Sequence, residues 1–179
     1  MTILKNKQIN LSPLTIQEAK NEFEIFKNPK LFIYTKRQAF QNIQDAENFI
    51  NRHRQMPNFF GIYLNQKQKL IGNCQLSIDK NQQKGEIAYS IDEPYWGKGI
   101  ATEAAECLLK LGFSSYSLNK ISTSFVPNNI GSKKVLKKIG MHYVSTTERA
   151  FDKKGIAFDL DNFEISKEAY SPKEKISNL

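Results

Sequence analysis

Apolar and polar positions alternate along this chain with two different periods, and the switches between them outline the elements. "INLSPLTIQEAKNEFEIFKNP" opens as a short apolar strand and continues as a helix, with Ser12 and Thr15 as turn or cap residues and Pro29 ending the pattern. "NIQDAENFINRHRQ" repeats apolar residues at helical spacing through Ile43, Ala46, Phe49 and Ile50. "FFGIYLN" and "KLIGNCQLSID" are β-rich runs on either side of the polar "QKQ" and predict a hairpin. In "GEIAYSID" the period is two, with Ile87, Tyr89 and Ile91 on one face and Ala88, Ser90 and Asp92 on the other. Pro94 marks a turn, after which "IATEAAECLLKLGF" returns to helical spacing at Ala101, Ala104, Ala105 and Leu108, with Glu106 and Lys110 as an i, i+4 pair on the opposite side. "KISTSFV" is an alternating strand stopped by Pro127. "NNIGSKKVLKKIG" is a helix opened by Asn and closed by Gly140. "MHYVSTTERAF" and "GIAFDLDNFEI" form a final pair of strands around Lys153-Lys154-Gly155.

The predicted order is therefore β-α-α-β-β-β-α-β-α-β-β. Strands and helices alternate only in the middle, which implies an α+β fold with a mixed sheet rather than a purely parallel one. A length of 179 residues suits one domain. The boundaries read as 1–168 for that domain and 169–179 for a flexible tail, "YSPKEKISNL" being loose in composition.

Composition narrows the chemistry. With 40% hydrophobic and 25% charged residues the chain has material for a core. No apolar run reaches the roughly 20 residues of a membrane span, and "MTILKNKQIN" lacks the apolar region of a secretory signal. A soluble cytoplasmic protein without a membrane role is the expectation. Cys74 and Cys107 stand alone, read as reduced core residues, and His53 and His142 do not cluster with them, so no metal site is expected. The net charge of +8 reads as a lysine-rich solvated surface, with lysines near a glycine loop available to a phosphorylated ligand. Nucleic acid is not expected as a partner, because the basic run at residues 133–138 has only aliphatic interruptions and no interleaved aromatic residues.

The candidate chemistry lies in "SIDEPYWGKGIATEA". A strand, a glycine turn and a helix start aim free backbone N–H groups and the positive helix end at whatever occupies the turn, and phosphate is the natural occupant. Gly97 and Gly99 allow close approach of the backbone, and Lys98 adds a charge at the mouth. As a bare pattern, the loop also reads as a tight connection whose glycines serve geometry alone. Neither a Walker A loop nor a dinucleotide fingerprint fits the spacing, with Thr102 at the last fingerprint position.

"GEIAYSIDEPYWGKGIATEAAECLLKLGF" followed by "KISTSFVPNNIGSKKVLKKIGMHYV" resembles the acetyl-coenzyme A binding core of the GNAT superfamily of N-acetyltransferases. More narrowly it is similar to the branch that acetylates N-terminal amines of ribosomal proteins (RimJ/RimL-like). The resemblance implies a GNAT fold, a central, mostly antiparallel mixed sheet of about six to seven strands flanked by about four helices. In the family the loop has the form Gln/Arg-x-x-Gly-x-Gly/Ala, filled here by Gly99 and Ala101 with Trp96 in the first place. The resemblance makes residues 97–102 (Gly97, Lys98, Gly99, Ile100, Ala101 and Thr102) the pyrophosphate cradle. It makes the backbone of Tyr89, Ser90 and Ile91 the partner of the pantetheine arm, in a V-shaped cleft between this strand and "KISTSFV".

The second family pattern, Asn-x-x-Ser, falls on Asn129 and Ser132. Ser132, Val135, Leu136 and Ile139 share one helical stripe, so Ser132 faces inward, where a hydroxyl needs a partner. On geometry alone a local carbonyl suffices. The resemblance makes Ser132 the acid that protonates the departing thiolate, with Asn128 or Asn129 capping the helix and touching the cofactor. At the position where the ribosomal-protein branch carries a glutamate base, this chain has Phe151, which leaves Glu148, Asp152 and Glu86 as alternative bases beside a water chain. Asp159 matches a position where that branch often has Asp, and equally reads as a hairpin partner. The expected activity is transfer of acetyl from acetyl-coenzyme A to a primary amine by direct attack, in a monomer or homodimer. Protein N-termini, polyamines, antibiotic amines and amino acids stay open as acceptors, and the N-terminal helices and the "TTERAFDKKG" hairpin are expected to shape the acceptor pocket. The alternative is a GNAT-fold sensor or scaffold that binds acyl-coenzyme A without turnover.

Overall fold

The computed structural model describes residues 4–171 together with the pair Ser177–Asn178. Four α-helices and nine strands are described. The strands are β1 (Leu4–Lys5), β2 (Ile9–Ser12), β3 (Phe59–Leu64), β4 (Leu70–Asp79), β5 (Lys84–Ile91), β6 (Lys120–Phe125), β7 (His142–Lys153), β8 (Ile156–Ser166) and β9 (Ser177–Asn178). The helices are α1 (Ala19–Phe26), α2 (Ile43–His53), α3 (Ile100–Lys110) and α4 (Ile130–Lys138). The seven longer strands follow the expected order, and the surplus over that count comes from β1 and β9, each of two residues. Part of the tail expected at 169–179 is thereby placed, because Ser177–Asn178 pairs antiparallel with Leu4–Lys5. Residues 172–176 and 179 lie outside the described residues.

One mixed sheet runs in the order β7-β8-β6-β5-β4-β3-β2-β1-β9. All its pairings are antiparallel except β5 with β6. In β3, Phe59 and Tyr63 enter the aromatic cluster built on Phe26, Phe49 and Ile50 from α1 and α2, whereas Phe60 and Ile62 enter the larger cluster that contains α3 and Leu136 of α4. Alternate residues of a strand point to opposite faces, so the helices form a layer on each side of the sheet. The same fact explains why "FFGIY" is apolar without alternation: it is buried on both faces.

Local rules account for the ends of the elements. α2 starts in a capping box, in which Asp45 N–H donates to the Asn42 side chain and Asn42 N–H to the Asp45 carboxylate. Ser12 and Thr15 do not cap α1. Ser12 lies in β2 and donates to Asn10 Oδ1, and a 3₁₀ turn at Ile16–Glu18 leads into the helix. α3 continues past Lys110 as a π-helical turn, Leu111–Ser115. Gly140 ends α4 at φ 89°, its N–H donating to Lys137 O while Met141 N–H donates to Leu136 O. The β7–β8 hairpin turns at Lys154-Gly155, both with positive φ, and Gly155 N–H donates to Asp152 Oδ1 at 3.0 Å.

The feature that positions the site is a divergence in the middle of the sheet. β5 pairs with β4 along its whole length, from Lys84↔Asp79 to Ile91↔Gly72. With β6 it pairs only at Lys84↔Lys120, Gly85↔Ile121 and Glu86↔Ser122, and the Ser122 hydroxyl donates to Gly85 O at this vertex. β6 then follows β8 through Phe125↔Asp161. Residues 87–91 are left with one strand edge open.

Candidate active site

Two adjoining cavities occupy the V between β5 and β6. The larger, about 880 Å³, runs from the open edge of β5 past the glycine loop to the N-termini of α3 and α4. The smaller, about 300 Å³, lies on the other side of Tyr89, between the vertex of the V and the loop that joins α1 to α2. Tyr34, Thr35, Tyr89, Ser90, Asn129 and Ser132 line both, so the two meet around these residues.

The mouth of the larger cavity is built by the glycine loop. Gly97 and Gly99 have φ of 73° and 81°, the left-handed region where a side chain is strained, and a Cβ on Gly97 would meet nothing within 4 Å. Gly99 is the N-cap of α3 and has no side chain to accept from the helix, so the first N–H groups of α3 face the cavity. Asn129 caps α4 instead, its Oδ1 accepting from Ser132 N–H at 3.2 Å. The Trp96 indole N–H donates to Ile91 O at 2.7 Å and ties the loop back to the end of β5. A second tie comes from Glu93, which accepts from Lys30 Nζ and Asn28 Nδ2 and binds the 28–30 segment to the turn before the glycines.

Of the residues expected to hold the cofactor, Tyr89, Ser90, Ile91, Gly97, Gly99, Ile100, Ala101, Thr102, Asn128, Asn129 and Ser132 all line the larger cavity. Lys98 is not among its lining residues. Its ammonium lies 5.5 Å from the Tyr95 ring centroid, and Lys30, Lys134 and Lys138 supply the cationic lining. The cavity is large and apolar along β5 and offers unpaired amides beside lysines at its mouth, which suits a long ligand with a phosphorylated end.

The candidate catalytic residues separate. Ser132 stands where the cavities meet, half-buried, beside Tyr89. The Tyr89 hydroxyl is buried without a hydrogen-bond partner, and burial raises its pKa to about 12; the Ser132 side chain is near enough to offset part of that rise without aligning into a full hydrogen bond. Glu86 lines the smaller cavity. Glu148 and Asp152 line neither: both are exposed on β7, and Asp152 is engaged in the hairpin turn. Phe151 is buried and stacks on Phe158 at 5.0 Å. Asp159 accepts from Arg149 N–H at 2.8 Å, the hairpin role that its sequence position also allowed.

Cys74 lines the smaller cavity, but burial holds its thiol well above the ordinary pKa, and burial also pushes Cys107 up to about 12, so neither presents a thiolate. Among the described residues no cluster of His, Cys, Asp and Glu is placed to hold a metal ion, and no helix is long and apolar enough to cross a membrane.

Much of the smaller cavity's wall escaped the sequence reading. Tyr34, Thr35 and Arg37 come from a loop with no hydrophobic period, and Phe59 and Asn73 from strands read only as a hairpin; Phe49 and His53 come from α2, one of the N-terminal helices expected to shape this pocket. The available signal was "KLFIYTKRQAF", where aromatics and cations mix between two helices.

Comparison with known proteins places these features. The model of the acetyltransferase (GNAT) domain matches residues 8–142. An uncharacterized N-acetyltransferase, p20, of Bacillus licheniformis is 25% identical over 177 residues, covering 96% of this chain and 99% of its own. Among solved structures, a GNAT-family acetyltransferase from Bacillus anthracis superposes with a TM-score of 0.86 at 24% identity, covering 94% of this chain and 99% of that one. A putative ribosomal-protein-serine acetyltransferase from Vibrio cholerae gives 0.76 at 19%, covering 93% and 97%. The Vibrio cholerae spermidine N-acetyltransferase in complex with CoA and spermine gives 0.80 at 20%, covering 92% and 99%. With a domain match over most of its length, and a sheet that splays at a glycine-loop helix, this chain belongs to the GNAT acetyltransferase family.

Proposed function

We propose that this acetyltransferase moves the acetyl group of acetyl-coenzyme A directly onto a primary amine, with both substrates bound together. The observation that carries this reading is the junction of the two cavities at Tyr89 and Ser132: one, of about 880 Å³, has room for a large ligand, and the other, of about 300 Å³, shares the same residues. The N–H groups at residues 100–102 hold the phosphates, helped by Lys134. The open edge of β5 at Tyr89, Ser90 and Ile91 pairs with the pantetheine arm. A backbone N–H of this edge polarises the thioester carbonyl, a contribution of roughly 3 kcal/mol per donor. Acetyl-coenzyme A supplies the activated acyl carbon and a thiolate leaving group.

Ser132 gives its proton to the sulfur as the C–S bond breaks and is reprotonated by the second proton that the nitrogen sheds as the amide forms, passed directly or through water, with the Tyr89 hydroxyl beside it supporting that transfer. The amine must arrive neutral, so its proton has to leave before the N–C bond forms. Of Glu86, Glu148 and Asp152, Glu86 is the one in the acceptor cavity, and we assign it the proton, directly or through one water. Kinship with the ribosomal-protein branch is supported by the Vibrio neighbour of that description and by the loop pattern. The spermine-bound neighbour raises a polyamine acceptor, but the smaller cavity here offers a polycation a single carboxylate, Glu86, and carries Arg37 in the same lining.

The test is release of coenzyme A thiol with a panel of primary amines. Turnover is expected, with kcat lowered about a hundredfold in Ser132→Ala while the acetyl-coenzyme A dissociation constant stays within about twofold. Tight binding of acetyl-coenzyme A with no thiol release for any amine would make this a binding module. Unchanged kcat in the variant would return Ser132 to a helix residue with a local partner.

A further inference from the structure

Arg37 and Glu86 are the charged side chains of opposite sign on the wall of the acceptor cavity, and their chemistry restricts what the cavity accepts. Arg37 is held in place without being neutralised. Its guanidinium lies 4.5 Å from the Phe49 ring centroid and 5.6 Å from that of Phe32. The carbonyl of the same residue, with those of Phe32 and Thr35, accepts from Lys153 Nζ, so the loop that carries it is pinned to the β7–β8 hairpin.

The residue is nonetheless open to the cavity, and no carboxylate lies within ion-pair distance of the guanidinium among the described residues. The acid that interacts with it, Glu22, is fully buried and compensates it only in part: burial raises the Glu22 pKa to about 8, so this carboxyl is mostly neutral at pH 7. Burial is the largest effect on Arg37 and lowers its pKa; Glu22 opposes that and Arg52 adds to it, so the guanidinium is only partly countered. A fixed, fork-shaped cation at the wall of a substrate cavity is matched in geometry by a carboxylate.

We infer that the acceptor is an amine that also carries a carboxylate, its acid group held by Arg37 and its amine presented on the Glu86 side. This rests on the acetyl-transfer reading above and goes further by naming the acceptor's chemistry. Glu86 draws in the ammonium form and then removes its proton; Arg37 fixes the other end and excludes amines that would place a second cation there. Tyr34, Phe49 and Phe59 give the same cavity an aromatic wall, beside the polar Asn73, Gln75, Thr123 and Ser124.

The experiment uses matched acceptors that differ only in the acid group. The free amino acids lysine and phenylalanine are compared with cadaverine and phenethylamine, and the amidated peptide Ser-Asp-Ala with Ser-Asn-Ala; the two arms distinguish free amino acids from protein N-termini. In at least one arm the acidic member is expected to have a kcat/KM about tenfold to a hundredfold higher, the range of a hydrogen-bonded charge pair. Arg37→Gln should remove the preference, and Arg37→Lys should keep part of it, because charge remains while the fork is lost. Equal rates within every pair, or a preference that survives in Arg37→Gln, would overturn the inference while leaving acetyl transfer intact. If no amine turns over, calorimetry with the N-acetyl forms of the same pairs decides. Carboxylate-dependent binding lost in Arg37→Gln upholds the anion site without the reaction, and indifference to the acid group refutes it.

Discussion

Gly99 shows how one position can be set by ligand and backbone together. Its φ of 81° places it at the N-cap of α3 with no cap side chain, and a Cβ there would approach only Gln8 Nε2, at 4.0 Å. Aspartate tolerates left-handed backbone better than most residues and is a good N-cap, so Gly99→Asp is expected to fold with little loss of thermal stability. Its carboxylate would compete for the N–H groups at residues 100–102 and repel phosphate. Calorimetric titration should show acetyl-coenzyme A binding weakened at least about tenfold; an unchanged affinity would remove the phosphate cradle. The residue scale is also where the sequence was least legible. Glu148 and Asp152 were chosen for their closeness in sequence to Phe151, but β7 is an irregular edge strand whose pairing with β8 shifts between Thr147 and Phe151, and closeness along such a strand says little about what shares a cavity. Glu86, far from them in sequence, lies in the cavity because β5 leaves β6 immediately after it.

Between elements, function depends on a few ties that cross the molecule. Gln8 donates to Glu103 through its backbone N–H at 2.9 Å and its side chain at 2.8 Å, fastening the turn between β1 and β2 onto α3. Lys153, at the end of β7, donates its three ammonium hydrogens to the carbonyls of Phe32, Thr35 and Arg37. The hairpin was expected to shape the acceptor pocket; none of its residues lines the cavity, and it acts through this clamp on the loop that does. Lys153→Met keeps much of the side-chain length and removes the donors. It is expected to raise the KM for the amine about tenfold and the acetyl-coenzyme A dissociation constant by clearly less, since the pinned loop carries Arg37 on the acceptor wall while only its Tyr34–Thr35 part is shared with the larger cavity. Equal loss of both would mean that the hairpin supports the whole cleft.

At the scale of the molecule, the sheet with helices on both faces buries Glu22 completely on the α1 side. Asn73 Nδ2 donates to its Oε1 at 2.7 Å, while Oε2 has no partner. Burial raises the pKa most, the Asn73 hydrogen bond and Arg37 draw it down, Glu18 pushes it up a little further, and the result is about 8. The unfolded chain releases this proton near the ordinary 4.5 and the folded chain near 8. Between these values the folded state binds the extra proton. Its stabilising effect is complete below the lower value and is lost as pH rises through the upper one, with a slope of at most about 1.4 kcal/mol per pH unit. Melting temperature should therefore fall from pH 5 to pH 8 more steeply in the wild type than in Glu22→Gln, which stays neutral, and the variant should be the more stable of the two at pH 8. Parallel curves would show that Glu22 is ionised in the fold.

The sequence by itself determined the order of the elements, the helix start at the glycine loop and the inward stripe that carries Ser132. Each of these is written in local chemistry: a period of two or of about 3.6, a residue that tolerates positive φ, a cap. The resemblance carried by the same stretch determined the family, and it picked out much of the larger cavity's lining because that part comes from one nearly continuous segment, residues 89–102, and from the next helix; the loop at residues 30–35 completes the wall. Only the tertiary structure decided the acceptor side. Its wall joins an aperiodic loop, one face of α2, the middle of β4 and the start of β5, and the spacing of these pieces is set by how β5 diverges from β6 and how Lys153 anchors the loop. No local period records such a meeting, since it depends on side chains that are distant in sequence and converge only once both faces of the sheet are packed.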